Sequence, residues 1–180
     1  MLTLVIGGAA SGKSAYAEHL AVQSGGPRYY LATMQVWDAE CAARVAKHRT
    51  MRAQKQFATV ECPQNLHLVR LPQQGTALLE DLGNLAANEL YRPDGSCLPP
   101  KQAAEKMLAG IDSIAAQCRH LIIVSNEVFS GGADYAGETD LYLQALAMVN
   151  NAVAAKADAV CRVAVSYTHL RAHETGAYLV

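Results

Sequence analysis

Eight residues near the amino terminus, Gly7-Gly8-Ala9-Ala10-Ser11-Gly12-Lys13-Ser14, constrain this chain more than any other stretch. Two glycines bracket four residues and are followed by Lys-Ser, the spacing of a phosphate-binding loop. The run before it, Leu2-Thr3-Leu4-Val5-Ile6, is short, apolar and rich in strand formers, and residues 14–24 carry alanines and leucines at helical spacing. Strand, glycine loop, helix is the context this spacing requires. Glycines let the backbone wrap so that its N–H groups converge on phosphate oxygens, and the helix start adds a partial positive charge. Gly7 and Gly12 are the positions where a side chain would interfere. Lys13 is then placed to reach the β- and γ-phosphates and the Ser14 hydroxyl to bind Mg²⁺. The pattern points to ATP or GTP; the plain alternative is a glycine-rich turn ahead of a helix.

Further along, strand and helix patterns alternate. Residues 28–32 read as a strand, residues 38–51 as a helix that Asp38 could cap, and Thr76-Ala77-Leu78-Leu79 as another apolar run, followed by a helical stretch to Leu90. Between residue 51 and Thr76 no element is read from pattern. Arg92-Pro93-Asp94-Gly95-Ser96 and Pro99-Pro100 mark a loop. A helix is expected over 101–118, then the strand His120-Leu121-Ile122-Ile123-Val124-Ser125, whose unbroken apolar character suits a strand covered on both faces. A glycine-containing loop over 129–137, a helix over 138–156 and a last strand over 159–164 complete the pattern. Such alternation implies an α/β fold with a mostly parallel sheet and helices on both faces. With 180 residues, 51% hydrophobic, the chain suits one domain, here residues 1–164. After it, Val165-Ser166-Tyr167-Thr168-His169-Leu170-Arg171-Ala172-His173-Glu174-Thr175 reads like a translated transposase-type sequencing adapter. Residues 165–180 are therefore set apart as a suspect adapter-derived tail, the plain alternative being a genuine polar tail, and on either reading His169 and His173 are given no function.

The formal charge of −1 offers no global field for nucleic acid or an anionic membrane, so any anion site must be local. Cys41, Cys62, Cys97, Cys118 and Cys161 show no Cys-x-x-Cys spacing and are odd in number, which argues for buried thiols rather than a zinc or disulfide framework. No run approaches the roughly 18 apolar residues that cross a bilayer, and no signal peptide is read, so a cytoplasmic protein without membrane insertion is expected.

P-loop enzymes hold magnesium with help from an acid at the end of another strand. Leu78-Leu79-Glu80-Asp81 offers Glu80 or Asp81, and spacing does not choose between them, nor exclude a solvated strand end. Asn126-Glu127, after the next strand, reads equally as a site wall or as a turn cap. On the helix over 38–51, Glu40, Arg44, His48 and Arg52 recur every four residues and share a face, with Lys47 and Arg49 beside His48. A solvated face is the ordinary meaning of such a stripe. Its cations also suit an imidazole attacking phosphorus, since they bind polyphosphate and disfavour the protonated ring.

The Gly7 to Ser14 loop, Tyr30-Leu31-Ala32-Thr33-Met34-Gln35, Ala42-Ala43-Arg44-Val45-Ala46-Lys47-His48-Arg49, Thr59-Val60-Glu61-Cys62, Leu78-Leu79-Glu80-Asp81 and Val124-Ser125-Asn126-Glu127-Val128 follow one another at fitting distances. Together they resemble the bifunctional adenosylcobinamide kinase and adenosylcobinamide-phosphate guanylyltransferase family of cobalamin biosynthesis, in the P-loop NTPase superfamily. The resemblance covers about residues 2–164. It implies a RecA-like P-loop sheet and two reactions. A nucleoside triphosphate phosphorylates the hydroxyl of adenosylcobinamide, and GTP then passes GMP through a guanylylated histidine to the phosphorylated corrinoid. His48 stands at the guanylylated position. Lys13 and Ser14 match phosphate and magnesium residues, Ser14 and Glu80 being the candidate Mg²⁺ ligands. Thr33, Met34, Gln35, Arg49, Thr50, Met51, Arg52, Glu61 and Glu80 fall where relatives contact the guanine nucleotide. The resemblance also implies a homotrimer, with ATP, GTP and adenosylcobinamide as small-molecule substrates. Many relatives carry Arg-Pro after the histidine helix, where this chain has Arg52-Ala53. A plain P-loop kinase or NTPase without the covalent step, and a nucleotide-binding module without turnover, are the alternatives.

Overall fold

The computed structural model describes residues 1–35, 46, 50, 53–92, 94–127, 138–164 and 167–172, with residue 138 and the last six described by backbone alone. Among the described residues seven strands form one sheet: β1 (Leu2–Gly7), β2 (Arg28–Ala32), β3 (Phe57–Glu61), β4 (Thr76–Leu79), β5 (His120–Asn126), β6 (Ala159–Ala164) and β7 (Tyr167–Ala172). Their spatial order is β3-β2-β4-β5-β1-β6-β7. The pairings among β1 to β6 are parallel, and β7 joins β6 antiparallel. Among the described residues four helices are complete: α1 (Lys13–Gln23), α2 (Leu82–Leu90), α3 (Pro100–Gln117) and α4 (Glu138–Lys156).

The apolar strands are buried on both faces, as their continuous patterns require. Leu4, Leu31, Leu79, Leu121 and Ile123 pack against α2, α3 and α4 on one face. Val5, Tyr30, Leu78, Ile122 and Val124 pack with Ala17 and Ala21 of α1 on the other. This is the expected P-loop NTPase type of sheet. The phosphate-loop strand β1 is separated from the acid-bearing strand β4 by β5.

Sequence and structure differ at both edges of the sheet. Phe57–Glu61, where no strand was read from pattern, pairs with β2 in register, Arg28 opposite Phe57 and Ala32 opposite Glu61. Only Phe57 is fully buried in this edge strand, its ring edge-on to Tyr30 with centroids 5.8 Å apart. A strand with one anchoring side chain leaves too faint an alternation for pattern to detect. At the other edge β6 is not the last strand. The backbone of residues 167–172, inside the stretch read as adapter-derived, pairs with it from Ala159 opposite Ala172 to Ala164 opposite Tyr167. An open strand edge offers unpaired N–H and C=O groups to whatever segment follows it.

Helix boundaries agree with the expected ones to within a residue or so. Pro100 occupies the first turn of α3, where its missing N–H has no cost. Gly110 lets α3 lie flush on the short 3₁₀ turn Leu66–Leu68, because a Cβ there would stand 2.8 Å from Leu66 Cβ. The expected helix over 38–51 lies almost wholly outside the described residues. Ala46 and Thr50 are helical within it, and the Thr50 hydroxyl donates to the Ala46 carbonyl at 3.1 Å. Cys62, Cys118 and Cys161 are buried free thiols and Cys97 is partly buried; Cys41 lies outside the described residues.

Candidate nucleotide-binding site

The site forms at the carboxyl ends of the parallel strands β1, β2, β4 and β5. In an open α/β sheet this is the edge at which ligands bind. β1 ends at Gly7, which pairs with Asn126 of β5 and Val163 of β6. A Cβ on Gly7 would overlap the Val163 carbonyl and stand 2.6 Å from Ser11 Oγ, so glycine is required there by close approach. Gly12 has φ +87°, the left-handed region that favours glycine, and it opens α1. Ala10 shares that region with φ 56°. The Ser11 N–H donates to the Gly8 carbonyl at 3.3 Å, closing the loop as a turn. Among the described residues no side chain caps α1 and no acid lies in its first turn, so its positive end is not neutralised locally. Lys13 is only 8% exposed and its Nζ donates to the Gly8 carbonyl at 3.1 Å. Ala9, Ala10, Gly12 and Ser14 are exposed along the rim.

Across the edge, β4 delivers Glu80 and Asp81. The Glu80 N–H donates to the Leu31 carbonyl at 3.1 Å, extending the β2–β4 ladder by one bond. Glu80 Oε2 accepts from the Thr33 N–H at 3.2 Å. Thr33 is fully buried, its hydroxyl donates to the Asp81 carbonyl at 3.1 Å, and its own carbonyl accepts from Asn88 Nδ2 at 2.8 Å. The loop starting at Thr33, with Met34 and Gln35 partly buried behind it, is thus fastened to the acid pair. Asp81 has a different local task from Glu80. Its Oδ1 accepts from the Gly83 and Asn84 N–H groups at 2.7 and 3.2 Å and caps α2.

Asn126, read from sequence as either a wall or a cap, donates from Nδ2 to both Asp81 carboxylate oxygens, at 3.2 and 3.1 Å. Glu127 takes a different partner. It forms a forked ion pair with Arg162, Nε to Oε2 at 3.2 Å and Nη2 to Oε1 at 2.6 Å, spanning the strands on either side of β1. Burial pushes the Cys62 thiol up to about 12, with the Glu61 and Glu80 carboxylates adding to the effect, so this buried sulfur stays protonated at neutral pH. Burial also raises the Tyr142 hydroxyl, again with help from Asp81 and then Tyr91.

The structure therefore brings together Gly7 through Ser14, Thr33 and Glu80. Glu61 ends β3 at the sheet's edge, exposed and separated from β5 by β2 and β4. Thr50 is exposed on a helical segment. His48, Arg49, Met51 and Arg52 lie outside the described residues. Sequence reading missed Tyr142, Asn88 and Arg162. Tyr142 and Asn88 sit in helices where periodicity marks only apolar faces, and Arg162 interrupts a strand in a way that signals exposure rather than a partner.

The model of the family described as cobinamide kinase / cobinamide phosphate guanyltransferase matches residues 3–168 of this chain. The bifunctional adenosylcobalamin biosynthesis protein CobU of Escherichia coli is 36% identical over 143 residues, covering 73% of this chain and 77% of that protein. CobP of Pseudomonas aeruginosa, likewise named a bifunctional adenosylcobalamin biosynthesis protein, is 31% identical over 162 residues, covering 89% and 91%. CobU of Salmonella typhimurium is 31% identical over 171 residues, covering 89% and 93%. Among solved structures, the RadB recombinase aligns over 89% of this chain and 73% of its own with a TM-score of 0.41 and 14% identity. A match across nearly the whole sheet, from the phosphate loop to the β6 edge, places this chain in the cobinamide kinase / cobinamide phosphate guanyltransferase family.

Proposed function

We propose that this enzyme performs both reactions of its family's description in cobalamin nucleotide-loop assembly. It phosphorylates the adenosylcobinamide hydroxyl with a nucleoside triphosphate, then transfers GMP from GTP to the product, giving adenosylcobinamide-GDP. The observation that carries the reading is the phosphate loop itself: Lys13 lies folded over Gly8 at the strand edge that also holds Glu80 and Thr33. Phosphoryl transfer is largely a matter of positioning and of neutralising oxygen charge, and an ammonium together with loop N–H groups supplies both.

In the second reaction His48 is the nucleophile. Its imidazole attacks the α-phosphorus of GTP, the N–P bond forms as the bond to pyrophosphate breaks, and the phosphate of the corrinoid then displaces the histidine. Splitting the transfer in this way keeps each step within reach of one nucleophile. Thr33, Met34, Gln35, Arg49, Thr50, Met51, Arg52, Glu61 and Glu80 are proposed contacts of the guanine nucleotide.

Mg²⁺ fits the donors present when it arrives with its nucleotide. Ser14 and Glu80 offer hard oxygens, and among the described residues no group of three or more acidic, histidine or cysteine side chains forms a cage of its own. Bound there with the phosphates, the ion would neutralise charge developing on their oxygens. The proposal extends to a cytoplasmic homotrimer, which light scattering of the purified protein checks. No helix among the described residues is long and apolar enough to cross a membrane.

The decisive experiment incubates the protein with α-labelled GTP, magnesium and adenosylcobinamide. The expected result is the phosphate and then the GDP form of the corrinoid, with label on the protein when the corrinoid is withheld. Phosphate product without any protein-bound label would reduce the enzyme to a plain kinase.

A further inference from the structure

We infer that Asp81 is a positioning residue, and that with Asn126 it forms a clip holding the phosphate-loop side of the sheet against the Glu80 and Thr33 side. The hydrogen-bond ladders show why such a clip is needed. β4 and β5 pair from Thr76 opposite His120 to Leu79 opposite Ile123, and there their ladder stops. β5 continues to Asn126 paired with β1, ending opposite Gly7. Beyond Leu79 the sheet therefore forks, with Glu80 on one prong and the phosphate loop on the other.

The Asn126 to Asp81 contacts at 3.2 and 3.1 Å cross this fork. Each prong is tied down behind them. On one side the Glu127 N–H donates to the Gly7 carbonyl at 3.0 Å. On the other the Asp81 carbonyl accepts from the Thr33 hydroxyl at 3.1 Å, and the Thr33 N–H donates to Glu80 Oε2 at 3.2 Å. Capping α2 uses only Oδ1, through Gly83 and Asn84. The bonds from Asn126 come from another strand and serve no capping purpose. Gly83 leaves the clip its room, since a Cβ there would lie 3.4 Å from Asn126 Nδ2 and 3.0 Å from Asp81 Oδ1. With its oxygens already receiving these protein N–H groups, the Asp81 carboxylate acts through Asn126 and leaves direct contact with the nucleotide to Glu80.

This inference rests on the proposed use of the phosphate loop, and three substitutions test it separately from that reading. Asp81→Ser keeps a capping oxygen and loses the link; Asn126→Ala keeps the cap and loses the link; Asp81→Asn keeps an oxygen for both cap and link but removes the charge. Asp81→Ser and Asn126→Ala should each lower kcat of the kinase step on the order of tenfold, as a misplaced group does, with the thermal midpoint nearly unchanged. The double variant should be no slower than the slower single one, because both remove one interaction. Asp81→Asn should stay within about threefold of wild type, as expected when geometry and not charge is at stake. Amide exchange gives a readout independent of any corrinoid chemistry: the Thr33 N–H should exchange faster in Asn126→Ala than in wild type. Should wild type fail to phosphorylate adenosylcobinamide, the proposed function fails while the exchange result still decides the clip. Unchanged exchange in Asn126→Ala, additive effects in the double variant, or an Asp81→Asn enzyme as slow as Asp81→Ser would overturn it.

Discussion

Lys13 Nζ donates to the carbonyl oxygen of Gly8 at 3.1 Å, so the ammonium is held inside the turn that its own loop makes. The group is thereby stationed where β- and γ-phosphate oxygens would gather, with little side-chain freedom left to lose on binding. Lys13→Ala should slow both half-reactions by about 3 kcal/mol or more, on the order of a hundredfold, because charge on the transferring phosphoryl group goes uncompensated. Initial rates of phosphate and GMP transfer check this. Near-normal kinase turnover would move the nucleotide elsewhere.

Glu80→Ala removes the acceptor of the Thr33 N–H from a strand end while leaving the buried residues of β4 in place. A charged hydrogen bond of this kind is worth about 1.5–3 kcal/mol, so GTP affinity should weaken roughly tenfold or more. Calorimetric titration at two magnesium concentrations reads both affinity and metal dependence. If neither changes, Glu80 is only a polar strand end.

Gly83→Ala puts two effects in opposition. Alanine is favoured over glycine within a helix by about 1 kcal/mol. Here, however, the new methyl would stand 2.8 Å from the Tyr142 hydroxyl and 3.0 Å from Asp81 Oδ1. Overpacking of that degree costs about 1–3 kcal/mol, so net destabilisation is expected in urea titration. Adding Tyr142→Phe removes one of the two clashes and should restore part of the loss.

His120 accepts or donates at both ring nitrogens, to Thr3 Oγ1 and Ser24 Oγ, each at 2.8 Å. Burial lowers its pKa below the ordinary 6.5, the nearby amino terminus lowers it further, and Asp158 opposes both. Between that lowered value and about 6.5 the unfolded chain binds the extra proton, so stability rises with pH through this window and falls as pH drops into it. Above it both states are neutral and this contribution is flat. Urea midpoints at pH 7.5 and 5.5 should differ more for wild type than for His120→Gln, and equal differences would leave His120 without a part in acid sensitivity.

His48→Ala should separate the two activities. Neighbouring lysine or arginine can bind phosphate, but neither replaces an imidazole nucleophile at neutral pH, so protein-bound GMP and the GDP product should vanish. Kinase turnover, whose contacts come from the phosphate loop, should persist. Mass spectrometry of wild type after GTP treatment should place an acid-labile adduct on the peptide containing His48. An adduct on Lys47 would remove the histidine from the mechanism.

The phosphate loop, the alternation of strands and helices and the fully apolar β5 were legible from the chain because each is local. A glycine spacing, a 3.6-residue period or an unbroken apolar run is visible within about 20 residues. Glu80 and Asp81 were likewise visible as an acid pair at a strand end. Their division of labour was not, because it depends on Thr33, 47 residues away, and on Asn126, 45 residues away. The same holds for β3 and β7, edge strands whose pairing depends on a partner's open backbone more than on their own pattern. Gly7 spans both cases. Its place in the motif follows from sequence, while the reason that only glycine fits, the Val163 carbonyl and the Ser11 hydroxyl standing where a Cβ would lie, exists only once β6 has docked beside β1. Local chemistry is written residue by residue, whereas which groups meet across strands follows from sheet order, and sheet order is settled by burying both faces of the whole sheet at once.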